Sequence, residues 1–183
     1  MKRIDIRLKE DEIQFLRSLI GNELKAIHHD EFNFVNSSSQ VVGFETATTN
    51  FYLYSFTEPQ DYYGTTEDVA IWSIEDTRYP LLNSKILVNT PINQRVCSIQ
   101  LIQENQRLFK NGIQIYDVWV TRGIIIDFGD RQISFEKAVW FSEEIYIQKG
   151  YGLIEKFAST NNFVESDWDA GITAECSRSI DTI

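Results

Sequence analysis

Hydrophobic and polar residues alternate over most of this chain in short runs, the pattern of strands, and only one stretch carries a helical period. The clearest run is Ile113–Glu136, IQIYDVWVTRGIIIDFGDRQISFE. Its Gly129-Asp130 step suits a two-residue type II′ turn with glycine first. That turn predicts Asp127 opposite Gln132, Ile126 opposite Ile133, Ile125 opposite Ser134 and Ile124 opposite Phe135. Ile124, Ile126, Phe128, Ile133 and Phe135 then share one face, with Asp127, Gln132, Ser134 and Ile125 on the other. Upstream, Asn111-Gly112 is a type I′ signal joining Gln106–Lys110 to Ile113–Val120. Thr121-Arg122-Gly123 reads as a three-residue loop. It pairs Val120 with Ile124 and sets Asp117 opposite Asp127.

The helical period runs from Lys9 to Ile27, where Ile13, Leu16, Ile20, Leu24 and Ile27 recur at three- and four-residue spacing, widened by Phe15 and Leu19. Glu10, Asp11 and Glu12 fill the first turn, where carboxylates suit the helix dipole. Gly21 marks a break or a close approach. His28 and His29 fall at the expected C-terminus, which favours a cationic ring. A short strand, Arg3–Leu8, precedes the helix.

Val41–Ala47 and Phe51–Thr57 predict a hairpin, followed by a loop at Glu58–Asp68 and a strand at Val69–Ile74 with Trp72 in the core. Lys85–Val88 predicts an edge strand, and Arg95–Gln103 a strand with Cys97, Ile99 and Leu101 on one face. Glu144–Gln148 predicts the last strand and Tyr151–Phe157 a short helix. The fold expected is α+β: a predominantly antiparallel sheet, as a two-layer sandwich or partly closed barrel, with the N-terminal helix packed on it and a short C-terminal helix. Residues 1–158 form one domain in this reading. Residues 159–183 form a polar, irregular tail anchored by Phe163 and Trp168.

Charge changes the picture more than composition does. The net charge is −10, which argues against direct nucleic-acid binding. From Ala26 to Thr77 there are nine carboxylates and no Lys or Arg, whereas the remaining 18 acids face 17 bases. One segment therefore carries nearly all the net charge. The N-terminus shows no apolar signal core, and no apolar run approaches the ~20 residues of a membrane helix. With Cys97 and Cys176 far apart and outside any CxxC motif, these features predict a cytoplasmic protein with reduced thiols and no membrane partner.

Candidate chemistry is sparse. HExxH, GxSxG, P-loop, CxxC and Rossmann glycine patterns are all missing. His28-His29-Asp30-Glu31 offers metal-ligand types, and a Cys–His nucleophile would need Cys97 or Cys176 beside one of these histidines. Asp117 facing Asp127 is the metal candidate, and a metal-dependent hydrolase is the alternative function it implies. The leading expectation is non-catalytic and cofactor-free. It is an acidic binding or inhibitory module, comparable in charge to a bacterial immunity protein, that engages a basic protein through Asp30–Asp76. Glu58, Asp61, Tyr62, Tyr63, Glu67 and Asp68 form its expected contact surface, with Trp72 as a further anchor. A third expectation is a structural subunit of an assembly, with acidity serving only solubility.

Overall fold

The computed structural model describes residues 1–76, 87–138 and 140–183. The chain begins with β1 (Lys2–Ile6), α1 (Glu10–Leu19), β2 (Glu23–His29), β3 (Ser37–Ser39) and β4 (Val41–Glu45). It continues through β5 (Asn50–Tyr62), β6 (Thr65–Glu75), β7 (Val88–Arg95), β8 (Ser98–Lys110) and β9 (Ile113–Asp127). After β10 (Gln132–Lys137) and β11 (Glu144–Gly150) come a 3-10 turn (Leu153–Lys156), α2 (Asn161–Val164) and β12 (Ile172–Thr182). The strands form a seven-stranded sheet, β12-β8-β9-β10-β11-β3 with β1 added on β9, and a five-stranded sheet, β6-β5-β4-β2-β7. This is the α+β class that the alternation implies.

The strongest local signals become the centre of the larger sheet. β9 and β10 pair Asp127 with Gln132, Ile126 with Ile133 and Ile124 with Phe135, the register that Gly129-Asp130 predicts. Asn111 and Gly112 both have positive φ, 51° and 77°, as a type I′ turn between β8 and β9 requires. Ile124, Ile126, Phe128, Ile133 and Phe135 face the five-stranded sheet and pack with its Leu24, Ile27, Phe44, Phe51, Leu53 and Trp72. Phe44 stacks on Phe51 at 5.0 Å and meets Phe135 edge-on at 5.2 Å. The other face of this hairpin is covered separately, where Ile102 and Ile125 pack on Leu153 and Phe157.

Several expectations fail for identifiable reasons. The helix stops at Leu19 rather than Ile27, because Gly21 takes φ +80° and its amide donates to Val96 O at 2.8 Å. Leu24 and Ile27 still reach the core, but from β2. Their spacing serves a strand here, which short windows do not distinguish from a helix. α1 is secured at its start: Glu12 Oε2 accepts from the Lys9 amide at 2.6 Å, and its Oε1 accepts from Ile74 of β6 at 3.2 Å. Cys97 is exposed in the break between β7 and β8, not inward beside Ile99 and Leu101. Of the expected Lys85–Val88 strand, Lys85 and Ile86 lie outside the described residues, and Val88 opens β7.

The tail is the largest correction. Ile172–Thr182 is a strand that pairs with β8 along its whole length, from Ile172 opposite Lys110 to Thr182 opposite Gln100. Its polar side chains read as a tail because the strand lies at the sheet edge, where half or more of its surface meets water. Phe163 and Trp168 do anchor the segment before it, in edge-on contact at 5.1 Å.

Thr121-Arg122-Gly123 is not a turn. β9 runs through it, and β8 pairs Ile102 with Gly123 but Gln103 with Thr121, leaving Arg122 as an extra residue in a bulge. A bulge resets the alternation. Ile124 therefore packs in the main core, while Val120 lies on the other face of β9. Val120 there joins Ile6 and Val69 in a small cluster flanked by Tyr62, Ile71 and Trp140. The free edge of β9 is also shared: β1 pairs in parallel with Tyr116–Val120, and β10 takes Gly123–Asp127. At Gly123 a Cβ would lie 2.6 Å from Phe135 O and 2.3 Å from the Phe157 ring, so close packing requires glycine here.

Candidate functional site

The acid-rich segment is built as an arm. β5 and β6 extend past the other strands of their sheet, so the expected Glu58–Asp68 loop is a two-stranded hairpin closing at Tyr63-Gly64. Pro59 is tolerated because β4 pairs β5 only over Asn50–Tyr54, which leaves the flank beyond open. Tyr63 and Gly64 have φ of 56° and 98°, as a type I′ turn demands. An aromatic residue rarely adopts this conformation, and tertiary contacts must hold it there.

Those contacts come from the tip. The Tyr63 hydroxyl donates to Gln106 Oε1 at 3.2 Å, and its ring meets Tyr116, Phe163 and Trp168 at 5.2–5.7 Å. Tyr62 packs on Trp140 at 5.4 Å and on Phe141 at 5.2 Å. Burial raises the pKa of both phenols. Asp61 Oδ2 lies 2.5 Å from Lys2 Nζ, while its Oδ1 accepts from the Gly64 amide at 2.9 Å and the Tyr116 hydroxyl at 2.8 Å. Lys2 first, then Gly64 and Tyr116, hold the Asp61 carboxyl down at about 2.

The expected contact residues therefore separate into two groups. Asp61, Tyr62 and Tyr63 fasten the arm to the body, whereas Glu58, Glu67 and Asp68 stay exposed along it. Glu58 borders a groove that it shares with Lys2, Arg3 and Arg7. Trp72 is buried in the main core and presents no surface to a partner.

The candidate metal ligands are not brought together. Asp117 lies opposite Arg107 on β8 and Arg3 on β1, and accepts from Asn105 at 2.6 Å and from Trp119 at 3.3 Å. Asp127 lies at the far end of the same strand, opposite Ser98 and Gln132, and accepts from Gly129 and Gln132 at 2.6 and 2.8 Å. The two lie ten positions apart along the strand, about 30 Å. His28 Nε2 is 2.9 Å from Glu45. Both nitrogens of buried His29 are engaged, with Asp30 O at 2.6 Å and Thr90 Oγ1 at 2.7 Å. Among the described residues, no group of three or more His, Cys, Asp and Glu has an arrangement that would hold a metal ion.

A second feature escaped the sequence reading. β8 carries four consecutive buried polar residues, Gln103, Glu104, Asn105 and Gln106, in a central strand of the large sheet. Buried polar groups need partners, and here they have them. Glu104 Oε1 accepts from Arg178 Nε at 3.1 Å and Nη2 at 2.5 Å, and its Oε2 accepts from Gln106 at 3.3 Å. Arg122, on the bulge, donates to Glu136 from Nε at 3.2 Å and Nη2 at 3.0 Å. Glu136 also accepts the Ala158 amide at 3.0 Å.

Glu104, Gln106 and Arg122 form the floor of a cleft of about 360 Å³. Tyr62 at the arm tip, Trp140 and Phe141 before β11, and Phe163 and Trp168 around α2 supply its walls. Cys176 lies beside the floor on β12, opposite Gln106. Burial, with the Glu104 carboxylate nearby, pushes its thiol up to about 12, and it faces that carboxylate rather than a histidine. One signal for this site was present in the sequence: a polar run, QENQR, inside a strand otherwise rich in Ile, Leu and Phe.

The fold and site thus define an α+β protein of two sheets, whose larger sheet carries a polar, aromatic-walled cleft beside an acidic arm. No protein-family description, curated protein or solved structure matches this chain. No helix among the described residues is long and apolar enough to cross a membrane.

Proposed function

We propose that the protein is a non-catalytic binding or inhibitory module that engages a basic protein partner through the β5–β6 arm. Glu58, Glu67 and Asp68 are the contact residues of this reading, and Asp61, Tyr62 and Tyr63 keep the arm in place. One observation carries it: the exposed carboxylates stand on a hairpin whose tip is fixed to the body by a salt bridge, two tyrosine hydroxyls and edge-on aromatic contacts. A fixed arm loses little conformational freedom on binding, so its charge is available for recognition. Its carboxylates attract basic surfaces over distances set by ionic strength, which speeds encounter. β6 is also the edge strand of its sheet, and Thr65–Asp68 is exposed there.

The test is affinity capture with the immobilised wild-type chain and with a Glu58→Gln/Glu67→Gln/Asp68→Asn variant, at low and moderate salt. Retained proteins are identified by mass spectrometry and their affinities then measured. A basic protein held by the wild type, released by salt and bound about 10–100-fold more weakly by the variant supports the reading. Retention that ignores both salt and the three neutralisations refutes it.

A further inference from the structure

We propose that the cleft on β8 is a second binding site, and that its ligand is a neutral carbohydrate of one or two rings. The site is separate from the acidic edge of the arm, although Tyr62 contributes a wall. Its volume, about 360 Å³, lies within the range of small-molecule sites, roughly 300–1,000 Å³.

Charge decides the ligand class first. The floor presents Glu104 and Arg122, and each is already paired from the neighbouring strand, by Arg178 on β12 and by Glu136 on β10. The cleft is therefore close to neutral. An anionic ligand would have to compete with Glu136 for Arg122, and a cationic one with Arg178 for Glu104. A wholly apolar ligand would strip water from both groups and return no hydrogen bonds. A ring bearing hydroxyls escapes all three penalties, because each hydroxyl both donates and accepts.

The aromatic walls decide the shape. Tyr62 meets Trp140 at 50° and Phe141 at 79°, so these rings do not present two parallel faces for a flat heterocycle. Angled rings instead offer several apolar surfaces to the C–H groups of a puckered sugar, in the manner of other weak contacts to π faces. Phe141 is 54% exposed at the mouth of the cleft and packs on Tyr62, a position suited to cover a ligand that has entered.

The experiment is a tryptophan-fluorescence titration of the full chain with glucose, galactose, mannose, N-acetylglucosamine and cellobiose, and with adenosine as the flat-ring comparison. Trp140 and Trp168 line the site and report on its occupation. At least one sugar should give a saturable change with a Kd of about 1 mM or below. Phe141→Ala, at an exposed position, should weaken that binding at least about tenfold, and Trp140→Phe should remove most of the signal. Glu67→Gln/Asp68→Asn should leave it unchanged, which separates this site from the arm. The proposal falls if no sugar binds with a Kd of about 1 mM or below, if adenosine binds more tightly than every sugar, or if Phe141→Ala weakens sugar binding less than about tenfold.

Discussion

The two halves of the long β8–β9 hairpin, one on each side of the Arg122 bulge, are built on opposite principles. In the half formed by Ser98–Ile102 and Gly123–Asp127, Ile99, Leu101, Ile124 and Ile126 pack against the five-stranded sheet. In the other half, Gln103–Arg107 faces polar residues and fixed ion pairs, and the apolar contacts come from an arm, a short helix and loops. The first half draws stability from area removed from water. The second pairs every charge it buries, an arrangement that adds little net stability but fixes geometry. Such a division places the apolar packing and the proposed binding cleft in different parts of one sheet.

Four measurements would break or sharpen this contrast. The largest effect should come from Phe135→Ala in the apolar half, where the ring is fully buried against Phe44. Urea unfolding should show a loss of about 3–5 kcal/mol. A loss near 1 kcal/mol would mean that the stability is not concentrated there.

Lys137, at the seam, comes next. It is buried, donates to Ala70 O at 2.6 Å, and is lowered from 10.5 to about 7 by burial and then by the charge of Arg122. Below about pH 7 both folded and unfolded chains hold the proton, and the fold bears the whole cost of a buried ammonium. From about pH 7 to 10.5 the unfolded chain alone retains it, so this group makes stability rise with pH. Denaturation of Lys137→Met against wild type, at about pH 6 and pH 10, should show that rise abolished, a difference on the order of 3 kcal/mol. Parallel pH profiles would show that the amine binds its proton equally in the folded and unfolded states.

Tyr63→Phe should cost about 1 kcal/mol, the worth of one hydroxyl bond to Gln106. The same variant should raise hydrogen exchange in the arm while sparing β10. Smallest of all, Glu67→Gln/Asp68→Asn should change the unfolding free energy by less than about 0.5 kcal/mol, because both side chains are exposed. A larger shift would make these acids structural and weaken the case for the arm as a contact surface.

Local signals were legible where one residue pair dictates geometry. Asn111-Gly112 and Gly129-Asp130 each fixed a turn and, with it, a register, and the apolar face of β9–β10 followed. Wherever tertiary context decides, the sequence was ambiguous. Leu24 and Ile27 have spacings that fit either a helix face or a buried strand, and only the Gly21 contact with Val96 ends the helix. Thr121-Arg122-Gly123 has turn chemistry, yet β8 holds it straight, and so Asp117 and Asp127 never meet. The charge asymmetry of the acidic segment was plain, but not its inward tyrosines, since Tyr63-Gly64 becomes a turn only with Gln106 and Trp168 to hold it. The cleft was hidden for a related reason. Its residues come from β8, the Arg122 bulge, the arm tip, the stretch before β11 and the region of α2, which are separate in the chain.

The bulge has an evolutionary consequence. A strand that alternates without interruption transmits any one-residue insertion or deletion to every position beyond it, turning core residues outward. At Arg122 the count already starts anew. Lengthening or shortening of the Gln103–Arg107 side can be absorbed at that joint, leaving Ile124, Ile126 and Phe135 where they are. A change of length in the cleft half therefore leaves the facing of the packing half intact.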